Sequence, residues 1–286
     1  PMDLVPRERF SGVPEFYLLH VTNELEPSAA TAGKAVNLDG VDDVVRVAAD
    51  AAISSDLQRQ LTLELWFKLD GSIGNPDGSL NFGPGKVWMP LVYKGDEDSP
   101  TANERAYSLW INQSGYLHFT SANGTTQDGV ANTAAGVVKA GQWIHFAGVM
   151  DRETGTMRAY VNGVLAGTGT VGTLNAAATA HDDRLLIGQT AESDGSYTPF
   201  KGAVDELRLW SSARSDNEIA RGFQRILQGD EDNLAGYWRF EEPEGVAFAD
   251  RTANGNDATL SVGTLGNVLL SAAHPAGQQL ITPFGT

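Results

Sequence analysis

The sequence predicts an all-β protein in which two antiparallel sheets pack face to face, with one short helix. Three observations favour this fold class. Glycine is abundant, at 32 of 286 residues, which suits many tight turns. Most of the middle of the chain alternates apolar and polar residues with the period of two that is typical of strands. The repeated helical segments that a parallel α/β fold requires are absent from the pattern.

The predicted strands are separated by short turn signals. In the first long strand, 61–69, the odd-numbered residues are apolar and face one side, while Thr62, Glu64, Trp66 and Lys68 face the other. The hairpin from Asn162-Gly163 has the strongest short turn signal. The predicted strands, in chain order, are 44–47, 61–69, 91–94, 106–112, 116–121, 143–150, 156–162, 164–171, 184–188, 203–210 and 235–240.

One segment has the pattern of a helix. Ser215-Asp216-Asn217 provides candidate capping residues for a helix over about 218–227, with Ile219 and Phe223 on its apolar side. The long Gly- and Pro-rich stretch 71–86 predicts a loop.

The charge balance limits the classes of partner. Lys and Arg number 20 against 36 Asp and Glu, a net charge of −16. Such a surface repels phosphate backbones and anionic lipid, so we expect no nucleic-acid partner. No run of 18 apolar residues occurs, and we expect no membrane insertion. The absence of cysteine excludes disulfides and thiolate metal sites.

Six stretches, in this order, together resemble a laminin G-like or pentraxin-like domain of the concanavalin A-like lectin/glucanase superfamily. They are 35–47 (AVNLDGVDDVVRV), 61–69 (LTLELWFKL), 141–167 (GQWIHFAGVMDRETGTMRAYVNGVLAG), 185–189 (LLIGQ), 202–219 (GAVDELRLWSSARSDNEI) and 234–260 (LAGYWRFEEPEGVAFADRTANGNDATL). The resemblance implies a jelly-roll sandwich over residues 34–260, often with bound calcium and used for binding glycans or proteins. Residues 1–33 then form an N-terminal extension, in which 15–23 is a candidate added strand, and 261–286 form a C-terminal extension or linker.

The turn after the first motif is a candidate metal site. Asn37 to Asp43 holds three carboxylates and a glycine, and calcium prefers six to eight oxygen ligands. The resemblance implies that Asp39, Gly40 and Asp205 are calcium ligands. The alternative is that Asp39 only stabilises the turn by accepting backbone N–H groups.

A second candidate site lies in the loops. Pentraxins hold calcium after a Gly-Gln dipeptide, which here is Gly188-Gln189, although Thr190 and Ala191 replace expected oxygen ligands. The resemblance implies a ligand-binding acidic rim of Asn103, Glu104, Gln189, Glu192 and Asp194, in loops 95–104 and 189–201. The alternative is that these are ordinary solvated acidic loops.

Aromatic residues on the polar strand faces are further candidates. The candidates lie beside hydrogen-bonding groups, an arrangement that suits sugar rings, and are Trp66, Trp110, His118, Trp143, His145 and Tyr160. Aromatic residues of a sandwich also commonly fill its core. We therefore favour the acidic rim over the Trp-bearing sheet face as the binding site.

The sequence favours binding over catalysis. A retaining glycosidase needs two carboxylates about 5–5.5 Å apart, and no predicted strand carries two acidic residues on one face. We predict a calcium-supported module, monomeric when isolated, that binds a glycan or an extracellular protein. It would belong to a larger bacterial secreted or cell-surface protein in adhesion or targeting. The alternatives are a polysaccharide-cleaving enzyme of the same superfamily and a structural spacer in an adhesin or toxin assembly.

Overall fold

The computed structural model describes residues 34–53, 57–96, 102–123, 126–172, 184–242, 246–261 and 271–272. This part of the chain forms sixteen strands and one α-helix, α1 (Asp216–Gly222). The strands are β1 (Lys34–Asp39), β2 (Val44–Val47), β3 (Gln60–Leu69), β4 (Trp88–Gly95), β5 (Arg105–Asn112), β6 (Leu117–Ala122), β7 (Gln127–Asn132), β8 (Trp143–Asp151), β9 (Thr156–Val161), β10 (Val164–Thr170), β11 (Leu185–Ile187), β12 (Lys201–Trp210), β13 (Leu234–Trp238), β14 (Ala247–Phe248), β15 (Ala258–Ser261) and β16 (Ser271–Ala272).

The strands form two antiparallel sheets, which confirms the predicted sandwich. In the first sheet the order is β10-β9-β8-β3-β12-β1-β16, with β13 also paired to β12. In the second sheet the order is β14-β15-β2-β11-β4-β5-β6-β7. Sequential hairpins such as β4-β5-β6-β7 place strands that follow each other in the chain side by side.

The core lies between the two sheets and follows from the alternation. On β3 the five odd-numbered residues from Leu61 to Leu69 are completely buried in the apolar core. From the second sheet, Phe119 meets Phe146 of the first sheet with their ring centroids 5.9 Å apart. Each sheet therefore contributes one apolar face, and the other face remains for polar and aromatic side chains.

The strands predicted from alternation all occur, with ends shifted by a few residues. The strands that were not predicted are β1, β7, β14, β15 and β16; β7 (QDGVAN) has few apolar residues, and β14 and β16 have two residues each. The helix predicted over about 218–227 begins at Asp216 and ends at Gly222. A capping box between Ser215 and Glu218 starts it. The Arg208 guanidinium donates to the carbonyls of Gly222 and Arg225, which favours the non-helical path beyond Gly222.

The two predicted extensions are described only in small part. Residues 1–33, including the candidate strand 15–23, lie outside the described residues. Within 261–286, β16 pairs with β1 and so adds a short strand to the first sheet. The described residues include no helix with the length and hydropathy needed to cross a bilayer.

A cluster of buried charges lies on the outer face of the first sheet, beneath the segment that contains α1. Glu64 is completely buried, and its carboxylate contacts the guanidinium groups of Arg214 and Arg208 and lies 3.4 Å from Nε2 of His145. Glu206 of the same strand as Arg208 accepts from it at 2.9 Å. The cluster ties the helical segment to β3 and β12, and its charges are balanced only while the segment is in place.

The pH dependence of stability follows from this cluster. Burial raises the pKa of Glu64, but the contact with His145 and the charges of Arg214 and Arg208 outweigh it and lower the pKa to about 2. Burial lowers the pKa of His145. In both cases the folded state binds fewer protons than the unfolded state, so stability is lost as pH falls.

We expect the stabilisation from Glu64, on the order of 3 kcal/mol, to disappear as pH falls from about 4.5 towards 2. The His145 contribution should fall already below about pH 6.5. Urea unfolding midpoints at pH 7, 5.5 and 3.5 measure both losses. In His145→Gln the decline between pH 7 and 5.5 should be smaller than in the wild type. Equal midpoints at pH 7 and 3.5 would contradict this account.

Candidate functional site

A cavity of about 280 Å³ opens on the outer face of the second sheet, where the segment 189–200 crosses the strands. Its lining combines three aromatic rings with three polar side chains: Trp88, Trp110, Tyr197, Arg105, His118 and Gln127. Aromatic walls combined with a few fixed polar groups are typical of small-ligand sites.

Strand register brings the cavity wall together. Side chains on β5 alternate, so Tyr107, Leu109 and Ile111 enter the core while Trp110 faces outward. Trp110 pairs with His118 of β6 in the antiparallel register. Trp88, at the start of β4, stacks near His118 with the ring centroids 5.1 Å apart. Three strands that are consecutive in the chain therefore build one wall.

The segment 189–200 forms the opposite wall. Its Ser196 carbonyl accepts from the backbone N–H groups of Val87 and Trp88, and Thr198 N–H donates to the Trp88 carbonyl. Asp194 fixes the preceding turn by accepting from the backbone and the hydroxyl of Ser196, and these bonds lower the pKa of its carboxyl. The segment thereby holds Tyr197 over Trp110, with ring centroids 4.8 Å apart.

An ion pair fixes the base of the cavity. Arg105 donates from Nε to Oε1 of Glu192 at 2.6 Å and from Nη2 to Oε2 at 2.7 Å. The Tyr197 hydroxyl donates to Oε2 at 2.9 Å, and the Arg105 guanidinium lies 4.5 Å from the Trp110 ring centroid. Both charged side chains are more than nine-tenths buried. Such a bidentate pair holds its donors and the rings around it in one geometry.

The predicted acidic rim is only partly assembled in this structure. Arg105, next to Glu104, contacts Glu192, so the two loops do lie together. Glu192, however, is engaged in the buried ion pair instead of facing solvent, and Asp194 is used in its own turn. Asn103 and Glu104 lie in the 3-10 turn Ala102–Glu104, and Gln189 is half-buried. Glu97 and Asp98 of the same loop lie outside the described residues.

The acidic turn between β1 and β2 brings three carboxylates together. One oxygen each from Asp39, Asp42 and Asp43 lies within 4.8 Å of the others, the only such His or acidic group among the described residues. Asp43 is 5% exposed, and its Oδ1 is buried without a hydrogen-bond partner. Burial raises the pKa of Asp43, and the charges of Asp39 and Asp42 raise it further. Gly40, with φ of 79°, permits the turn that allows this approach.

Asp205 does not join this group, which corrects the predicted pairing of Asp39 with Asp205. In the register of β1 with β12, Asp39 lies opposite Lys201. Asp205 is four residues further along β12, a separation of about 13 Å along the strand. Its side chain is completely buried, and burial followed by the charges of Glu206 and Glu241 raises its pKa well above the usual range. Asp39 itself accepts from the backbone N–H of Val41, as in the alternative interpretation.

The other candidate aromatics divide between the two sheets. Trp66 stacks on Phe223 beneath the segment that follows α1, and His145 contacts the same ring at a tilt. The hydroxyl of Tyr160 donates to Asp216 of the helix. These three rings are covered from outside, and Trp143 lies on the same sheet with the Lys68 ammonium over its ring. Trp110 and His118 alone of the predicted set line the cavity. The sequence analysis did not identify Trp88, Arg105, Gln127 or Tyr197 as site residues. A sequence signal existed only for Trp88, which lies on the strand that pairs with β5.

The chain forms a β-sandwich with an aromatic-lined cavity on the outer face of one sheet. The chain belongs to the concanavalin A-like lectin/glucanases superfamily, whose laminin G-like family model matches residues 39–220. This confirms the resemblance found in the sequence. A search of curated proteins found no match.

Solved structures are similar in fold. A Bacteroides ovatus protein for which carbohydrate binding has been suggested is 20% identical, with a TM-score of 0.54, over 86% of this chain and 62% of its own. This chain therefore spans less than two thirds of that relative. A heptameric SAP-like pentraxin from Limulus polyphemus is 14% identical, with a TM-score of 0.48, over 82% and 97% of the two chains. The CBM40 of a Ruminococcus gnavus IT-sialidase, bound to α2,3-sialyllactose, is 14% identical, with a TM-score of 0.46, over 66% and 95%.

Proposed function

We propose that this protein is a carbohydrate-binding module and that the cavity between Trp88 and Tyr197 holds the sugar. The observation that carries the proposal is the cavity itself, in which the partly exposed rings of Trp88 and Tyr197 lie beside fixed hydrogen-bonding groups and above the buried Trp110. The C–H faces of a sugar ring stack on aromatic rings, while its hydroxyls need polar partners. The carbohydrate binding suggested for the Bacteroides ovatus relative agrees with this role.

The cavity supports the proposal that the module binds a sugar without cleaving it. Glycosidic bond hydrolysis commonly uses a pair of carboxylates flanking the bond. Of the six residues that line the cavity none is Asp or Glu, and the nearby Glu192 is held in its ion pair with Arg105. We further propose that the module is monomeric when isolated and serves adhesion or targeting in a larger secreted or cell-surface bacterial protein.

A glycan array, followed by a reducing-end assay on every glycan that is bound, tests this function. We expect binding to a limited set of glycans with no release of reducing ends. Release of reducing ends would favour a polysaccharide-cleaving enzyme of the superfamily. Absence of binding to every glycan would contradict the proposal and favour a structural spacer or a module that binds protein.

We also propose that a calcium ion supports the fold at the turn between β1 and β2. Asp39, Asp42 and Asp43 would supply the carboxylate oxygens, and the buried, unpartnered Oδ1 of Asp43 is the group that most needs a cation. The ammonium of nearby Lys201 contacts Ser72 and Asp70 instead. Gly40 remains a proposed carbonyl ligand, and Asp205 is not included.

Calcium should therefore raise the melting temperature by several degrees relative to EDTA. Binding to the native state at a tenfold excess over Kd contributes about 1.4 kcal/mol. Thermal unfolding with 2–5 mM calcium (on the order of the weaker extracellular sites) measures the effect. Asp43→Asn should remove it, whereas the matched control Asp205→Asn should retain it. Identical melts with calcium and with EDTA would eliminate this site.

A further inference from the structure

The cavity contains charged groups but presents little net charge. The positive charge of Arg105 is matched by Glu192 through two short hydrogen bonds, and the two side chains are 7% and 6% exposed. The same guanidinium lies against the Trp110 ring, so both its direction and its main partner are fixed. A bidentate, buried pair of this kind behaves towards a ligand as a dipole and not as a free cation.

The remaining polar groups of the lining are uncharged. Burial lowers the pKa of His118, and the positive charge of Arg105 lowers it further, so the ring is neutral at pH 7. Its Nδ1 lies 2.7 Å from Oδ1 of Asn132, which leaves Nε2 as the acceptor. Gln127 provides a neutral amide. The cavity therefore offers donors and acceptors for hydroxyl groups without a free positive charge for a carboxylate.

We propose that the cavity selects uncharged saccharides and discriminates against those that carry uronic or sialic acid carboxylates, with the Arg105–Glu192 pair as the specificity determinant. This inference rests on the proposed function. A ligand carboxylate that took the bidentate position on the guanidinium would have to displace Glu192, which would leave a buried carboxylate without its partner. The net charge of −16 further disfavours the approach of acidic glycans.

Paired glycans that differ only in charge test the inference. Polygalacturonate and its fully methyl-esterified form share one backbone, and sialylated oligosaccharides can be paired with their sialic acid methyl esters on the same array. Wherever the wild type binds either member of a pair, we expect the neutral member to bind at least about tenfold more tightly. Preference for the acidic member would overturn this inference while leaving the proposed function intact. Failure to bind any glycan would overturn the proposed function and this inference with it.

Charge variants test the role of the ion pair itself. Glu192→Gln keeps the shape but leaves Arg105 uncompensated, so the ratio of acidic to neutral binding should rise at least about tenfold. Glu153→Gln, at an exposed residue of the β8–β9 hairpin, removes the same charge and should leave the ratio unchanged. The double variant Arg105→Gln/Glu192→Gln has neither charge and should keep the preference for neutral glycans. It also provides the test of the ion pair if Glu192→Gln does not fold. An unchanged ratio in folded Glu192→Gln, or acidic preference in the double variant, would overturn the assignment.

Discussion

Trp88→Ala should reduce glycan affinity by roughly thirtyfold or more, while the melting temperature changes little. Trp88 is half-buried and lines the cavity beside His118, at a ring-centroid distance of 5.1 Å, while Tyr116 packs edge-on against it at 5.6 Å. Truncating a central aromatic anchor of a binding site commonly costs about 2 kcal/mol or more. The core side of β4 keeps its own apolar contacts through Met89 and Leu91, so the strand remains packed. Isothermal titration with the best glycan from the array measures the loss.

Trp143→Ala is the matched control for this experiment. Trp143 is also half-buried, but it begins β8 of the first sheet and packs beneath the ammonium of Lys68. Its removal should leave affinity within about twofold of the wild type, because the ring belongs to the other sheet. Equal affinity in Trp88→Ala and the wild type would place the binding site elsewhere.

The largest effect on stability is expected from Glu64→Ala. The carboxylate is completely buried beside Arg208, Arg214 and His145. Its removal leaves Arg214 without this carboxylate partner, and Arg208 then keeps only its pair with Glu206. Breaking a buried pair on one side typically costs about 3–5 kcal/mol. The midpoint of urea unfolding should fall accordingly. Glycan affinity of the protein that remains folded should be unchanged, since Glu64 lies on the first sheet.

Glu153→Ala provides the comparison for an exposed pair. Glu153 and Arg59 approach to 3.8 Å with side chains 60% and 77% exposed, and surface pairs contribute about 0–1 kcal/mol. The free energy of unfolding should therefore change by less than about 1 kcal/mol. A loss in Glu153→Ala as large as in Glu64→Ala would contradict the assignment of stability to the buried cluster.

The sequence was sufficient for the sandwich because strand alternation is a local property. Each apolar residue of β3 faces the core as its position in the pattern requires. The end of α1 was not predictable in the same way, because it depends on contacts of Arg208 from a separate strand. The edge strands β7 and β14 were missed because QDGVAN has few apolar residues and a strand of two residues is too short to show alternation.

The candidate site was less predictable for a related physical reason. Arg105 and Glu192 are 87 residues apart, and nothing in their local sequence distinguishes an ion pair from two solvated charges. The assignment of Asp205 to the site of Asp39 required the register of β1 against β12, which motif order alone does not determine. The acidic turn itself was found because its three carboxylates are neighbours in the chain.

The location of the sugar site can be measured directly from the six tryptophan indole N–H signals in a ¹⁵N NMR titration. Trp88 and Trp110 line the cavity. Trp66 lies beneath the helical segment, and Trp210 lies beside Arg214. Trp143 lies on the first sheet, and Trp238 lies in the core. Assignment follows from single Trp→Phe variants. On addition of the best-bound glycan, we expect the signals of Trp88 and Trp110 to shift and the other four to remain. Shifts confined to Trp66, Trp143 or Trp210 would contradict the proposed site.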